Sequence, residues 1–362
     1  MKIIQRHYLK EFLKLFFIIL IGISTILSLI DLVNKIDDFM QHNPPIADVL
    51  LYSASNMPGY MVYLMPMATL ISSLFITGQA GRMKETTAIK AAGGSIKRLM
   101  MPFIYTGLFL SLAGFLLSEF IVPHLSANAR RIQDSITKNK GSITFKEGTA
   151  WFRTGDHIVK IDLYMPDKGV INGISIFKIE AFALTKRIEA RSAEWKPVLG
   201  SDTSKRGVWY LNDVTEYDIA TGKTTKHKGL QSEVIDPPDI LNKGIQRPDE
   251  MTLRELYSYT RKLESSGMKN IKLTVDINSR ISFPLINIVM IVLGIALASR
   301  TDMGSGLVTS AIAIFISLLY WLGYTSFLSM GYTGLLDPVI AAWIVPLIFG
   351  AAAFYMYKNI PE

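Results

Sequence analysis

The sequence contains no cysteine and only five histidines, and each shortage excludes a class of chemistry. Without cysteine there is no disulfide, no thiolate nucleophile and no cysteine-ligated zinc or iron–sulfur centre. The histidines all lie outside the long apolar stretches, at positions 7, 42, 124, 157 and 227. A serine within an apolar stretch would therefore have no imidazole base beside it, and the zinc-protease pattern HExxH is absent as well. The sequence predicts neither a catalytic site nor a metal site.

A nucleotide site is the next possibility, because the stretch ATGKTT at 220–225 looks like the end of a phosphate-binding loop. The full pattern GxxxxGK[ST] requires a glycine where this sequence has Tyr217. The flanking residues favour a hairpin, so we interpret the stretch as a turn between two strands. No cofactor is predicted to bind this chain.

Apolar residues, by contrast, are abundant and make up 49% of the 362 residues. Six stretches are close to the roughly 20 apolar residues that a helix needs to cross a bilayer. The first is too long and too polar at its far end for a cleaved signal peptide, and it is expected to remain as an anchor. The predicted spans are 12–33, 57–77, 99–122, 281–299, 306–328 and 339–357.

The net charge of +8 is distributed so that it orients these spans. Lysine and arginine concentrate before the first span and between the second and third, whereas the loop after the first span is acidic. The positive-inside rule therefore places both termini and the 82–98 segment in the cytoplasm. An even number of spans agrees, and the basic balance indicates a membrane surface rather than a nucleic-acid partner.

The long polar segment between the third and fourth spans is predicted to be an extracytoplasmic domain. Runs such as TAWFRTGDHIVKIDLY and GVWYLNDVTEYDI alternate like strands and are separated by turn residues. They predict an all-β sandwich, barrel or jelly roll. An exit helix follows, with Thr252 and Glu255 as its capping box and Gly267 as its stop.

The predicted fold is therefore a polytopic α-helical membrane protein of six transmembrane helices with an inserted extracytoplasmic all-β domain. Residues 1–122 would form spans one to three, residues 123–275 a jelly-roll-like domain with flanking helices, and residues 276–362 spans four to six.

Charged residues near the span ends, among them Lys35, Glu119 and Arg280, either snorkel to the interface or contact a charged lipid.

The 82–98 segment, between the second and third spans, is rich in small residues. Thr86 or Thr87 is expected to cap a short helix that has Glu85 in its first turn, and Gly93 and Gly94 are expected to end it. Such a helix has too little apolar area to bind a membrane surface, so two interpretations remain: insertion into a protein groove, or an ordinary connection. Helical spacing predicts one face composed of Glu85, Ile89 and Ala92, with Ala88 and Ala91 beside it.

The order of these features resembles a known family. A basic start, two spans, the loop ETTAIKAAGGS at 85–95, a third span, a β-rich insert ending in MTLREL at 251–256 and three more spans resemble the LptF/LptG permeases of the lipopolysaccharide exporter. The resemblance covers essentially the whole chain. Between the two paralogues, the stretches LVNKIDDF, GISIF and LESSG look more like LptG.

This resemblance implies a partner for the short helix. In the family, one LptF and one LptG sit on a dimer of the LptB ATPase, which uses the ATP and Mg²⁺, and each permease inserts a coupling helix into a groove of one LptB subunit. Here the coupling helix would be residues 84–94. The residues that match the family's coupling helix are Glu85, Ala88, Ile89, Ala91, Ala92, Gly93 and Gly94.

The resemblance also implies a transport path in the inner membrane of a Gram-negative cell. Lipopolysaccharide would enter laterally past spans one and five, and ATP-driven closure would move it to the periplasmic β domains and on to LptC and LptA. LptG chains carry basic residues near the outer end of span one that meet lipid A phosphates, but this sequence has Lys35 among Asp31, Asp37 and Asp38. The expected phosphate partners are Lys35 and Arg280, and the aspartates could instead act through a divalent cation.

Two alternatives stay open at this point: a permease of another ABC-type lipid or lipoprotein exporter, and a membrane-embedded enzyme with a periplasmic β domain. The β domain discriminates among the functions. An apolar inner groove would favour acyl chains, whereas a filled core would favour a scaffold.

Overall fold

A computed structural model describes most of the chain, and it divides into two compact units. One unit is Met1–Thr137 with Ile271–Glu362, and the other is Lys138–Asn270. We call them the membrane unit and the β unit. The described residues are 2–40, 44–136, 145–146, 149–154, 156–165, 169–180, 183–197, 207–219, 222–232, 234–235, 237–238, 241, 247–265, 270–299 and 306–360.

The described helices are ten α-helices and two short segments of other helical type. The two short segments are a π-helical turn at Leu117–Ile121 and a 3₁₀ turn at Pro248–Glu250. The α-helices are α1 Lys2–Asn34, α2 Ile36–Met40, α3 Ile46–Arg82, α4 Glu85–Ala91, α5 Ile96–Leu116, α6 Val122–Ile136, α7 Leu253–Ser265, α8 Ile271–Ala298, α9 Gly306–Tyr332 and α10 Pro338–Lys358.

Among the described residues, six helical segments are long and apolar enough to cross a membrane, which confirms the predicted span count. They are α1, α3, α5 with α6, α8, α9 and α10. The helices run beyond the predicted apolar limits because polar residues continue the same backbone at their ends. At the start of α10, for example, the Asp337 carboxylate accepts a hydrogen bond from the Val339 amide at 2.8 Å, with Pro338 in the first turn.

The core of the membrane unit includes one narrow stripe of α1. Tyr8, Phe12, Phe16 and Leu20 recur every fourth residue, and each is at most 7% exposed. The rings of Phe12 and Phe103 meet edge to face at 5.3 Å and so join α1 to α5. Other faces of α1, α5, α9 and α10 expose large apolar side chains, as a membrane protein does toward lipid or a partner helix.

Helices α3 and α8 approach each other closely at Gly294. A Cβ atom added to this glycine would lie 3.1 Å from the backbone nitrogen of Leu74 and would also overlap the side chain of Ser73. Small residues at helix contacts let backbones approach, which is how helices associate in lipid. The small residues of the predicted second and fourth spans therefore serve packing here.

The β unit contains a seven-stranded antiparallel sheet whose described strands pair strictly in chain order. This meander confirms the inserted β domain, although neighbouring strands follow one another directly instead of by the Greek-key crossovers of a jelly roll. The strands are β1 Phe145–Lys146, β2 Thr149–Thr154, β3 His157–Met165, β4 Val170–Glu180, β5 Ala183–Pro197, β6 Gly207–Asp218 and β7 Lys223–Ser232.

One face of the sheet is a filled core. A single register row crosses five strands with buried residues: Ala150, Ile161, Ile174, Ala190 and Val214. Tyr164 and Trp209, at most 1% exposed, occupy the same cluster, and their rings are 6.3 Å apart. The described residues thus fill this face with their own side chains, which by the criterion above favours a scaffold over an acyl-chain groove.

Two local predictions concern the turn between β6 and β7 and the start of α7. Gly222 has a φ of +68°, and Asp218 of β6 pairs with Lys223 of β7, so the strands on either side of the stretch resembling a phosphate-binding loop pair as in the predicted hairpin. The Thr252 hydroxyl accepts from the Glu255 amide at 3.2 Å and the Glu255 carboxylate accepts from the Thr252 amide at 3.0 Å, which confirms the capping box. Gly267 lies outside the described residues.

The unit boundaries differ from the predicted 123–275. The β unit spans Lys138–Asn270, because α6 continues the third spanning segment to Ile136 and α8 already begins at Ile271. Polar residues in α6 made this extension look like part of the inserted domain.

Candidate functional site

The candidate site is centred on α4, the short helix between the second and third spanning helices. It starts at Glu85, one residue after Lys84, whose backbone is left-handed with φ +56° and ψ +16°. No side chain caps the helix, so the expected cap at Thr86 or Thr87 is wrong, and both threonines lie inside the helix. The chain turns so sharply out of α3 that α4 begins directly at Glu85.

The end of α4 agrees with the prediction. Gly93 has a φ of +74°, and its amide donates to the Lys90 carbonyl at 2.9 Å. The Gly94 amide donates to the Ile89 carbonyl at 2.8 Å. This pair of bonds is a Schellman motif, which requires a left-handed residue and therefore favours glycine at position 93.

The side chains of α4 divide into two faces. Ile89 is half-buried and packs against the core of the membrane unit, so it points inward. Glu85 and Thr87 are exposed, and the remaining exposed positions carry only a methyl group or no side chain, which permits close approach of another surface. We call the small exposed residues Ala88, Ala91, Ala92 and Gly93 the small-residue face.

Glu85 is connected to the N-terminal part of α1. The Tyr8 hydroxyl donates a hydrogen bond to the Glu85 carboxylate, and Tyr8 is only 7% exposed. Three residues earlier, the Gln5 amide donates to the Arg98 carbonyl at 2.8 Å. Both ends of the 85–98 segment are thus bonded to one face of α1, and sequence reasoning missed this link.

Lys35, predicted to meet a phosphate, lies between α1 and α2 and already has partners. Its ammonium is 3.0 Å from the Asp31 carboxylate and donates a hydrogen bond to the Tyr52 hydroxyl on α3. Tyr52 in turn donates to Asp31 at 3.0 Å, and its ring packs edge to face on Phe39 at 5.3 Å. Lys35, Asp31 and Tyr52 form a mutually bonded triad, and the Asp31 carboxylate also accepts a hydrogen bond from the Tyr60 hydroxyl.

The triad settles the charge state of Lys35 near neutral pH. Burial lowers the pKa of the ammonium, but the hydrogen bonds to Tyr52 and Asp31 and the charges of these partners outweigh that effect and raise the pKa above its ordinary 10.5. Because Asp31 faces this ammonium, its carboxylate has a cation already. Within the described part of the chain, no group of three acidic or histidine side chains is arranged to hold a metal ion.

Arg280, the other predicted phosphate partner, is half-buried on α8. One turn before it, Asp276 accepts a hydrogen bond from the Tyr332 hydroxyl at 2.7 Å. Two residues after it, the hydroxyls of Ser282 and Tyr324 lie 3.2 Å apart. Arg280 therefore lies where α8 meets α9, whereas Lys35 contacts α3.

Comparison with known proteins identifies the setting of these sites. A family model described as "Lipopolysaccharide export system permease LptF/LptG" matches residues 6–359. The chain belongs to the LptF/LptG family. Curated relatives include the "Lipopolysaccharide export system permease protein LptG" of Escherichia coli (strain K12), 23% identical over 294 residues, which cover 78% of each chain.

Two further relatives are similar over most of their length. The LptG protein of Haemophilus influenzae is 22% identical over 267 residues, covering 73% of this chain and 72% of that protein. An uncharacterised protein of Rickettsia prowazekii is 22% identical over 313 residues, covering 83% of this chain and 82% of its own.

Family membership confirms the resemblance drawn from the sequence, and with it a multi-pass permease of lipopolysaccharide export. The roles of the α4 residues, of Lys35 and of Arg280 are not tested by these comparisons and stay predictions.

Proposed function

We propose that this LptF/LptG chain is the LptG-type subunit of an ATP-driven exporter that extracts lipopolysaccharide from the inner membrane and passes it to a periplasmic bridge. The partners would be an LptF paralogue, an LptB ATPase dimer, and LptC and LptA on the side of the β unit. ATP and Mg²⁺ would be used by LptB; in this chain, the stretch that resembles a phosphate-binding loop connects the paired strands β6 and β7.

The observation that carries the proposal is the exposed small-residue face of α4. Without side chains beyond methyl groups, the backbone of this face can approach a groove closely. Glu85, at the start of the helix, adds a carboxylate that can accept hydrogen bonds from a cationic partner side chain as well as from Tyr8. We assign this face to the LptB groove.

The charge pattern supports the orientation. Arg6, Lys10 and Lys14 lie along the first turns of α1, and Lys358 ends α10. Both termini and α4 would therefore be cytoplasmic, and the β unit periplasmic.

The exposed apolar faces of α1 and α9 are consistent with a lateral entrance for the lipid, as expected of spans one and five.

The substrate contacts are proposed with one adjustment. We propose Lys35 and Arg280 as headgroup contacts; a phosphate at Lys35 would have to compete with Asp31 for the ammonium, and Arg280 is tested first because of the chemistry of its side chain. A guanidinium can hold a phosphate through two parallel hydrogen bonds.

The test is reconstitution of the whole complex. The chain is co-expressed with an LptB-type ATPase and an LptF-type partner, purified, and assayed for ATP hydrolysis and for lipopolysaccharide release from proteoliposomes. Glu85→Ala is expected to weaken assembly or to separate hydrolysis from release, while Thr87→Ala, an exposed change on the same helix, should do neither.

Two outcomes would overturn the proposal. One is that no complex forms with the ATPase. The other is that the complex forms and hydrolyses ATP but releases a lipoprotein or another lipid in place of lipopolysaccharide, which would assign the chain to a different substrate.

A further inference from the structure

The contact between α1 and α4 has a feature that the coupling role alone does not require. Glu85 is exposed, yet its carboxylate accepts a hydrogen bond from a tyrosine whose side chain is buried. A hydroxyl placed in an apolar stripe without a partner is costly, so the Tyr8–Glu85 bond satisfies Tyr8 and orients Glu85 together.

Three contacts hold the N-terminal part of α1 and the 85–98 segment together. Gln5 bonds to Arg98, Tyr8 bonds to Glu85, and Ile89 packs against the cluster that contains Tyr8 and Phe12. Residues 5, 8 and 12 share one helix face by their spacing of three and four. A tilt of α1 about this end would therefore carry α4 with it.

We propose that Tyr8 is a positioning residue for the coupling helix: through Glu85 it ties the docking face of α4 to the membrane helix α1. The inference rests on the proposed function for its consequence, which is that movement of α1 and docking of the ATPase are coupled in both directions. The positioning itself is a property of this chain and can be measured without the ATPase.

The first experiment uses the absence of native cysteine. Thr87→Cys places a spin label on the exposed side of α4 in the full chain, held in lipid nanodiscs before any ATPase is added. Loss of a hydrogen bond to a charged group is expected to raise the ratio of mobile to immobile label about tenfold in Tyr8→Phe. Glu85→Ala should raise it similarly, and the double variant should add little, because both changes break one bond.

Tyr105→Phe is the matched control, because it removes the same atom from a tyrosine that is 66% exposed on α5. Its label should match the parent. The inference is overturned if Tyr8→Phe leaves the label as immobile as in the parent, or if the effects of the two changes add in full.

The second experiment tests the consequence in the complete complex. Tyr8→Phe is expected to lower the lipopolysaccharide released per ATP hydrolysed, whereas a general loss of folded protein would lower release and hydrolysis in proportion. An unchanged ratio would refute the coupling role of Tyr8. Failure of the parent chain to assemble with the ATPase would instead refute the proposed function, and the spin-label result would still stand.

Discussion

Replacing Gly93 by alanine isolates one backbone angle of the coupling helix. Gly93 has a φ of +74°, and a Cβ atom added there would meet nothing within 4 Å in this chain. The cost of Gly93→Ala is therefore conformational and not steric. Holding a residue other than glycine in the left-handed region costs roughly 1–2 kcal/mol.

That energy predicts a measurable loss of binding. Alanine disfavours the Schellman turn, so the free chain would populate the docked shape of α4 about fivefold to thirtyfold less. The apparent affinity for the ATPase falls by the same factor if only this shape fits the groove.

Two variants separate backbone angle from bulk. Gly81→Ala adds the same methyl group in equally open space at the end of α3, where φ is not positive, and should be neutral or slightly stabilising. Gly93→Asn adds a larger side chain that tolerates the left-handed region. The expected order of affinity at position 93 is glycine, then asparagine, then alanine.

The assay is binding of the purified ATPase to the permease pair in nanodiscs, with amide hydrogen exchange over α4 as a report on the free chain. If the Gly93→Asn variant binds the ATPase as weakly as Gly93→Ala, or more weakly, the loss of affinity comes from side-chain bulk in the groove and not from φ. An equal loss in Gly81→Ala would refute the conformational reasoning altogether.

Three further predictions concern the rest of the membrane unit. Arg280→Ala is expected to reduce photo-crosslinking of lipopolysaccharide without changing assembly, because the guanidinium would pair with phosphate; equal crosslinking would make Arg280 an interfacial residue only. Lys35→Met leaves Asp31 without its cation and should destabilise the chain by about 1–3 kcal/mol, much of which Asp31→Asn should restore in thermal unfolding. Because the pKa of Lys35 is raised above 10.5, this stabilisation is complete below that pH and is lost only as the pH rises through the folded-state pKa, so the difference should not vary around neutral pH. Gly294→Ala should destabilise by about 1–3 kcal/mol through overpacking against α3, whereas Gly22→Ala, with nothing within 4 Å, should not.

The sequence predicts the spans and the end of α4 well because their causes are local. An apolar run of sufficient length forms a spanning helix by itself, and Gly93 meets a backbone requirement that few other residues can.

The predicted cap at the other end of α4 was wrong for a physical reason. Lys84 is itself left-handed and its amide donates to the Gly81 carbonyl at 3.0 Å, so the turn leaving α3 already sets the start of α4. The free amides of an exposed helix start can be satisfied by water.

The site contacts depended on packing between distant helices and were harder to predict. The pairing of Asp31 with Lys35 follows from their spacing of four along the chain, but Tyr52 joins them only because α1 and α3 pack together. The burial of Tyr8 could be predicted from the sequence, because the apolar residues Phe12, Phe16 and Leu20 follow it at intervals of four. That stripe indicates a buried face but not the residue that Tyr8 meets.

A helix of seven residues is too short to be stable alone, so α4 must take its order from its surroundings. Its supports are the Schellman turn at Gly93, the packing of Ile89 on the core and the bond from Tyr8 to Glu85. All three act on the ends or the inner face of the helix. The side chains of Ala88, Ala91 and Ala92 are exposed, so a partner can cover them without displacing these three supports. The same supports bind α4 to α1, so a partner that moves the docked helix also pulls on a membrane helix at the proposed lipid entrance.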